Sequence, residues 1–295
     1  MVNEKLKGYI FSLTAIIGFG GTFIAVTLGA QSFDPITMSM GRVVPAAILA
    51  IVALKIMKQP LLPPKDAYPL IIGSSLGVVV GFPLLSTLAL QTVPAADAGV
   101  IGAITPIVTA TVAVFIGHKK PRRMFWVAAI FGTISAMALA YFRGGNEFGG
   151  GVFWGYLALG AGVLFASMGH ISGSTLIAKY PAFVVLNWAV MISIPLQLPI
   201  AIVNWTLNPI TQMPSAQSWF GYLYVSLFSL AIGNFMLNKG LYIIGLVKGP
   251  QLQLIQPVVT MLLSIWVLHV AVSPLTWLAA LAILISVAWS QKYRG

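Results

Sequence analysis

Arg42 is the residue whose chemistry is hardest to place without a purpose. It sits seven residues into an apolar run that begins at Pro35, roughly 10 Å deep at about 1.5 Å per residue. A guanidinium at that depth is unfavourable in lipid unless it faces protein or a water-filled space. Two roles are open to it. It can receive the carboxylate of a solute, or it can pair with Asp34 or Asp97 while its stem reaches toward the membrane surface. His170 is a second buried candidate, an imidazole that titrates near neutral pH or a neutral ring satisfied by a neighbouring helix. His118 and His269 fall at the ends of apolar runs beside loops, which predicts interfacial positions. Asp97 follows Pro94 by three residues, the pattern of a helix N-terminus with an acidic first turn.

Amides form a third group. Asn187, Asn234, Asn238, Gln251, Gln253 and Gln256 all lie in apolar runs, and lipid-facing amides are costly, so they are expected to turn inward. Their roles are hydrogen bonding between helices, or contact with the ammonium and carboxylate of an amino acid, with Trp188, Phe82 or Met38 against its side chain. Trp188 and Arg42 occupy matching positions in the two halves described below, which predicts that both look into one cavity. Other chemistry is excluded. Cysteine is absent, no phosphate-binding loop for an ATP-driven pump is present, and no carboxylate dyad, metal cluster or nucleophile elbow appears. No cofactor and no metal are expected.

The elements that carry these residues follow from composition. Of 295 residues, 59% are hydrophobic and 7% charged, against roughly 25% charged in a soluble domain. Ten apolar stretches, 8–30, 35–57, 68–91, 94–117, 123–142, 152–178, 181–204, 216–238, 246–268 and 274–291, meet or approach the roughly 20 residues that a spanning helix needs. The first exceeds the roughly 7–15 residues of a signal-peptide core and reads as a span. Continuous apolarity without period-2 alternation favours helices over a barrel. A net charge of +11 does not point to nucleic acid, because the basic residues sit in short clusters between apolar runs. Of the 16 Lys and Arg residues, all but Arg42 and Arg143 fall on one side if the N-terminus is cytoplasmic. That bias places both termini in the cytoplasm.

The chain also repeats. A shift of 151 residues carries Ile104-Thr105-Pro106-Ile107-Val108-Thr109 onto Ile255-Gln256-Pro257-Val258-Val259-Thr260 and pairs Trp126 with Trp277. Residues 1–145 and 146–295 are therefore read as two five-helix halves joined by the Gly-rich segment 143–151. An odd number of spans per half makes the second half enter from the opposite side, an inverted-topology repeat of the kind recurrent in secondary transporters. Breakers at Gly81, Pro83, Pro106 and Pro257 are candidate hinges, those at Pro106 and Pro257 in matching places. The expected fold is an all-α integral membrane protein whose ten transmembrane helices form two inverted repeats around a central cavity.

With Asp34-Pro35 and Arg42 in the second run, and the Pro106 and Pro257 segments in the fourth and ninth, the sequence resembles the drug/metabolite transporter superfamily. It is most similar to the EamA branch and, within it, to aromatic amino-acid exporters. The resemblance implies a basket of helices one to four and six to nine, with helices five and ten outside, and export of amino acids or related metabolites. Branch members carry a Glu at the ends of the fourth and ninth helices, where this sequence has His118 and His269. No Asp or Glu lies in mid-span, so facilitated export is expected over proton antiport. The expected partners are a small-molecule substrate and the bilayer, with the monomer as the working unit. Transport of a nucleotide sugar or organic cation, a channel, and a membrane enzyme remain open alternatives.

Overall fold

A computed structural model describes residues 2–115, 122–144, 151–177, 179–236, 243 and 255–292. His118, Asn238, Pro250, Gln251 and Gln253 lie outside the described residues. The helices in chain order are α1 (Glu4–Gly29), α2 (Thr37–Ile56), α3 (Lys65–Ala89), α4 (Ala95–Phe115), α5 (Arg123–Gly144), α6 (Gly151–Ile177), α7 (Ala182–Leu207), α8 (Ala216–Met236), α9 (Gln256–Leu268) and α10 (Pro274–Lys292). Seven of them, all but α5, α9 and α10, are long and apolar enough to cross a membrane. The apolar stretches of those three run to only 10–17 residues within the described chain. No β-strand occurs among the described residues.

Several helices are irregular, and prolines account for two of the breaks. α4 is interrupted at Ala103–Ile104, between Ala95–Gly102 and Thr105–Phe115 and beside the breaker expected at Pro106. Pro106 has no N–H to offer the carbonyl of Gly102 four residues back. The Thr105 hydroxyl donates to that carbonyl instead, at 2.6 Å. In α3 a π-helical stretch, Ser75–Gly81, runs into Phe82 and Pro83. Pro83 has no N–H to offer the preceding turn, and the Gln197 side-chain amide donates to the Val79 carbonyl of that turn from α7 at 3.1 Å. Two more π-helical stretches occur at Thr37–Gly41 in α2 and Tyr224–Ile232 in α8. Pro257 occupies the first turn of α9, where a missing N–H costs nothing.

The principal helix pairings are α1 with α8 and α9, α2 with α7, α3 with α6 and α7, α4 with α6 and α9, and α5 with α10. Small residues set the closest approaches. A Cβ added to Gly77 would lie 2.6 Å from the Gly169 Cα, and one on Gly221 would clash with the Ala25 carbonyl oxygen. Gly73 and Gly81 likewise abut Ser172 and Phe165, so the Gly73–Gly77–Gly81 row is the α3 surface on which α6 lies. This is the small-xxx-small packing by which helices associate in lipid, where burial offers no driving force.

α7 is fastened along its length by polar bonds. The Trp188 indole donates to the Pro60 carbonyl at 2.8 Å. Gln197 reaches Val79 in α3, and the Asn204 amide donates to both Asp34 carboxylate oxygens at 3.0 Å. The Trp205 indole donates to the Thr37 hydroxyl at 3.0 Å. Every one of these bonds crosses from residues after 146 to residues before 145.

Candidate functional site

A central cavity of ≈ 220 Å³ opens between α1, α2, α3, α4, α6, α8 and α9. α7 contributes no lining residue among those described. Its inner face is engaged by α2 and α3, so seven of the eight helices in the implied basket line the cavity among the described residues. α5 and α10 pack on each other through Phe125, Leu139, Ile283 and Val287, and they too stand clear of the cavity.

The three π-helical stretches all deliver residues to this space. Arg42 follows the first directly; Val78 belongs to the second, with Phe82 and Pro83 next in line; Ser229 and Leu230 belong to the third. An extra residue per turn rotates the side chains that follow, and such bulges recur at functional sites. Nothing in the sequence marks them beyond Gly41, Gly81 and Gly233 at or beside their ends.

Arg42 is 7% exposed and lines the cavity. Its Nε has no hydrogen-bond partner, and the guanidinium forms no ion pair among the described residues. The two acids expected as structural partners are engaged elsewhere. Asp34 accepts from the Ile36 and Thr37 backbone N–H groups, the Thr37 hydroxyl and Asn204. Burial pushes the Asp34 carboxyl up, but those bonds together outweigh it and hold the group below its ordinary value. Asp97, 1% exposed, accepts from the Tyr156 and Thr276 hydroxyls, both at 2.6 Å. Its helix-terminal position is as expected, with a further role of tying α4 to α6 and α10.

Of the predicted site residues, the cavity brings together Arg42, Phe82, His170, Asn234 and Gln256, along with Pro83 and Pro257. Three others stand outside it. Met38, 1% exposed, packs its thioether against Gly29. Asn187 donates to the Phe183 carbonyl at 2.8 Å within its own helix. Trp188, 1% exposed, packs on Tyr180 while bonded to Pro60. The expectation that Trp188 and Arg42 share a cavity is therefore corrected, because the α7 face bearing Trp188 is spent on the α2–α3 side. Gly81 is buried against Phe165. Thr22 and Ser229, which also line the cavity, hydrogen-bond each other at 2.9 Å, and the Asn234 amide donates to the Ser229 and Leu230 carbonyls. No group of three or more His, Cys, Asp or Glu side chains that could hold a metal ion occurs among the described residues.

The model of the EamA-like transporter family matches residues 6–141 and again residues 153–290. The chain belongs to the EamA-like transporter family. It is similar to the uncharacterized transporter YdeK of Bacillus subtilis (strain 168), 30% identical over 99% of both chains. It also matches the uncharacterized inner membrane transporter YedA of Escherichia coli (strain K12), 26% identical over 93% of this chain and 86% of the relative. A solved crystal structure shares the fold with a TM-score of 0.63 at 17% identity, over 98% of this chain and 96% of its own. As an EamA-family member the chain is a multi-pass membrane transporter. Where the resemblance leads one to expect a family Glu, His269 ends α9 in a left-handed conformation (φ 52°), exposed and away from the cavity.

Proposed function

We propose that this transporter exports amino acids, aromatic ones especially, and related carboxylate-bearing metabolites by facilitated alternating access, with Arg42 receiving the carboxylate. The observation that carries the reading is the Arg42 guanidinium: buried at the cavity wall, with its Nε unpartnered. A buried polar group lacking its bonds is destabilising, and a bidentate carboxylate supplies what is missing. Phe19, Phe23 and Phe82 give the same cavity an aromatic side, suited to an apolar tail. The ten helices are read as two inverted repeats with both termini cytoplasmic. Exchange of the halves maps the α1–α8 pairing onto α3–α6 and leaves α2–α7, α4–α9 and α5–α10 unchanged, which supports that reading. Gly81, Pro83, Pro106 and Pro257 are its hinges, and the monomer is its working unit.

The test is uptake of a labelled amino-acid panel into proteoliposomes holding the purified protein. Arg42→Gln is expected to reduce transport of any carboxylate substrate at least tenfold while the protein remains folded and inserted. Arg42→Lys restores only part, because an ammonium cannot reproduce the guanidinium fork. Unchanged transport by the Gln variant removes Arg42 from the binding site.

A further inference from the structure

We infer that the cavity selects a net-anionic monocarboxylate with an apolar or aromatic tail over the zwitterionic amino acid of the same tail. The inference rests on the carboxylate reading of Arg42 and, within it, ranks the related carboxylates above the amino acids. The charges the chain can place at the cavity set this preference. Arg42 and His170 are the ionisable residues that line the cavity among those described, and neither can be a counter-ion to an ammonium. The whole chain has only five Asp and Glu residues. Glu4 pairs with Lys7 at 2.9 Å on the exposed start of α1. Asp34 is bonded by Ile36, Thr37 and Asn204, and Asp97 by Tyr156 and Thr276. Asp66 is exposed in the short turn that opens α3. Glu147 belongs to the segment joining the two halves.

A solute that enters with both charges therefore meets a partner for one only. Its ammonium would give up water for neutral dipoles, the amide oxygens of Asn234 and Gln256 and the aromatic faces of Phe19, Phe23 and Phe82. It would do so close to a permanent guanidinium of like sign. Burying an unpaired charge is among the most costly transfers available to a side chain or a ligand, and like charges in a space of low dielectric repel more strongly than in water. The deaminated acid avoids both penalties while keeping the Arg42 pair and the apolar contacts.

Three solutes with one tail separate the possibilities: 3-phenylpropionate, phenylalanine and phenethylamine. Labelled counterflow is measured for each in proteoliposomes of the purified wild-type chain at pH 8, with protein-free liposomes subtracted to remove diffusion of the neutral acid. The expected result is half-saturation by 3-phenylpropionate at a concentration at least tenfold below that of phenylalanine, a difference of about 1.4 kcal/mol, and no transport of phenethylamine. Half-saturation by phenylalanine at an equal or lower concentration overturns the inference alone, and neutral carbonyls then hold the ammonium. Transport of neither acid overturns the carboxylate reading and the inference with it. The comparison uses the wild type, so it does not depend on whether an Arg42 variant folds.

Discussion

At the scale of single residues, charge is placed sparingly and each placement has a visible reason. Asp34 caps α2 through the Ile36 and Thr37 N–H groups and holds Asn204 across the interface. Replacing it with Ala should lower stability by about 1 kcal/mol, the usual value of a lost helix cap, read as a lower thermal midpoint of the purified protein. Because its folded value lies below the ordinary 3.8, its contribution is complete above that value and is lost as pH falls through the folded one. The gap between wild type and Asp34→Ala should thus stay constant from roughly pH 5 to 8 and close only in stronger acid. A gap that varies across the neutral range would mean that some other group sets the coupling. Arg42 was legible from the sequence as a charge in the wrong solvent. Whether Asp34 or Asp97 paired with it was not, since both acids lie near enough in sequence and depth, and their donors, Asn204, Tyr156 and Thr276, come from distant runs.

At the scale of helices, side chains donate to the backbone turns that precede proline. Gln197 donates to the Val79 carbonyl in the turn before Pro83. Gln197→Leu should destabilise the protein, by an amount of the order of the ~0.6 kcal/mol average for hydrogen bonds between membrane helices or somewhat above it, since the Val79 carbonyl loses that donor. In a Pro83→Ala background the same change should cost less, because the new N–H can bond back within α3. The double-mutant cycle in denaturation midpoints measures that coupling. Additive losses would separate the two residues. The prolines were readable from sequence, and so was the Gly73–Gly77–Gly81 row, although its spacing is unremarkable in a chain with 29 glycines. The π-helical stretches were not readable, because apolar periodicity hardly distinguishes a single wide turn from a regular one. Trp188 was misplaced for a related reason: matching register in two halves fixes a residue's depth, but not the face it presents once α7 turns toward α2 and α3.

At the scale of the whole molecule, α1 and α8 meet at the end of the bundle that bears the loop from Ala30 to Pro35. There the Ser218 hydroxyl donates to the Leu28 carbonyl and to the Ser32 hydroxyl, at 3.1 and 2.9 Å. On the proposed alternating-access export, this contact would have to part for solute to leave. Cysteines at Ser32 and Ser218, in a chain with none of its own, should form a disulfide that arrests transport and releases it on reduction. Full transport with the bridge formed would place the exit elsewhere. The α7 fastenings carry a different consequence, for the independence of the two halves. Expressed alone, residues 146–295 would insert with the Trp188, Gln197, Asn204 and Trp205 donors robbed of Pro60, Val79, Asp34 and Thr37, while residues 1–145 would carry the orphaned acceptors. Two separately made fragments should therefore be degraded singly yet accumulate together, each acting as the other's chaperone. On the proposed inverted repeat, an ancestor of five helices would have needed a second copy of itself in the opposite orientation to satisfy those donors and acceptors.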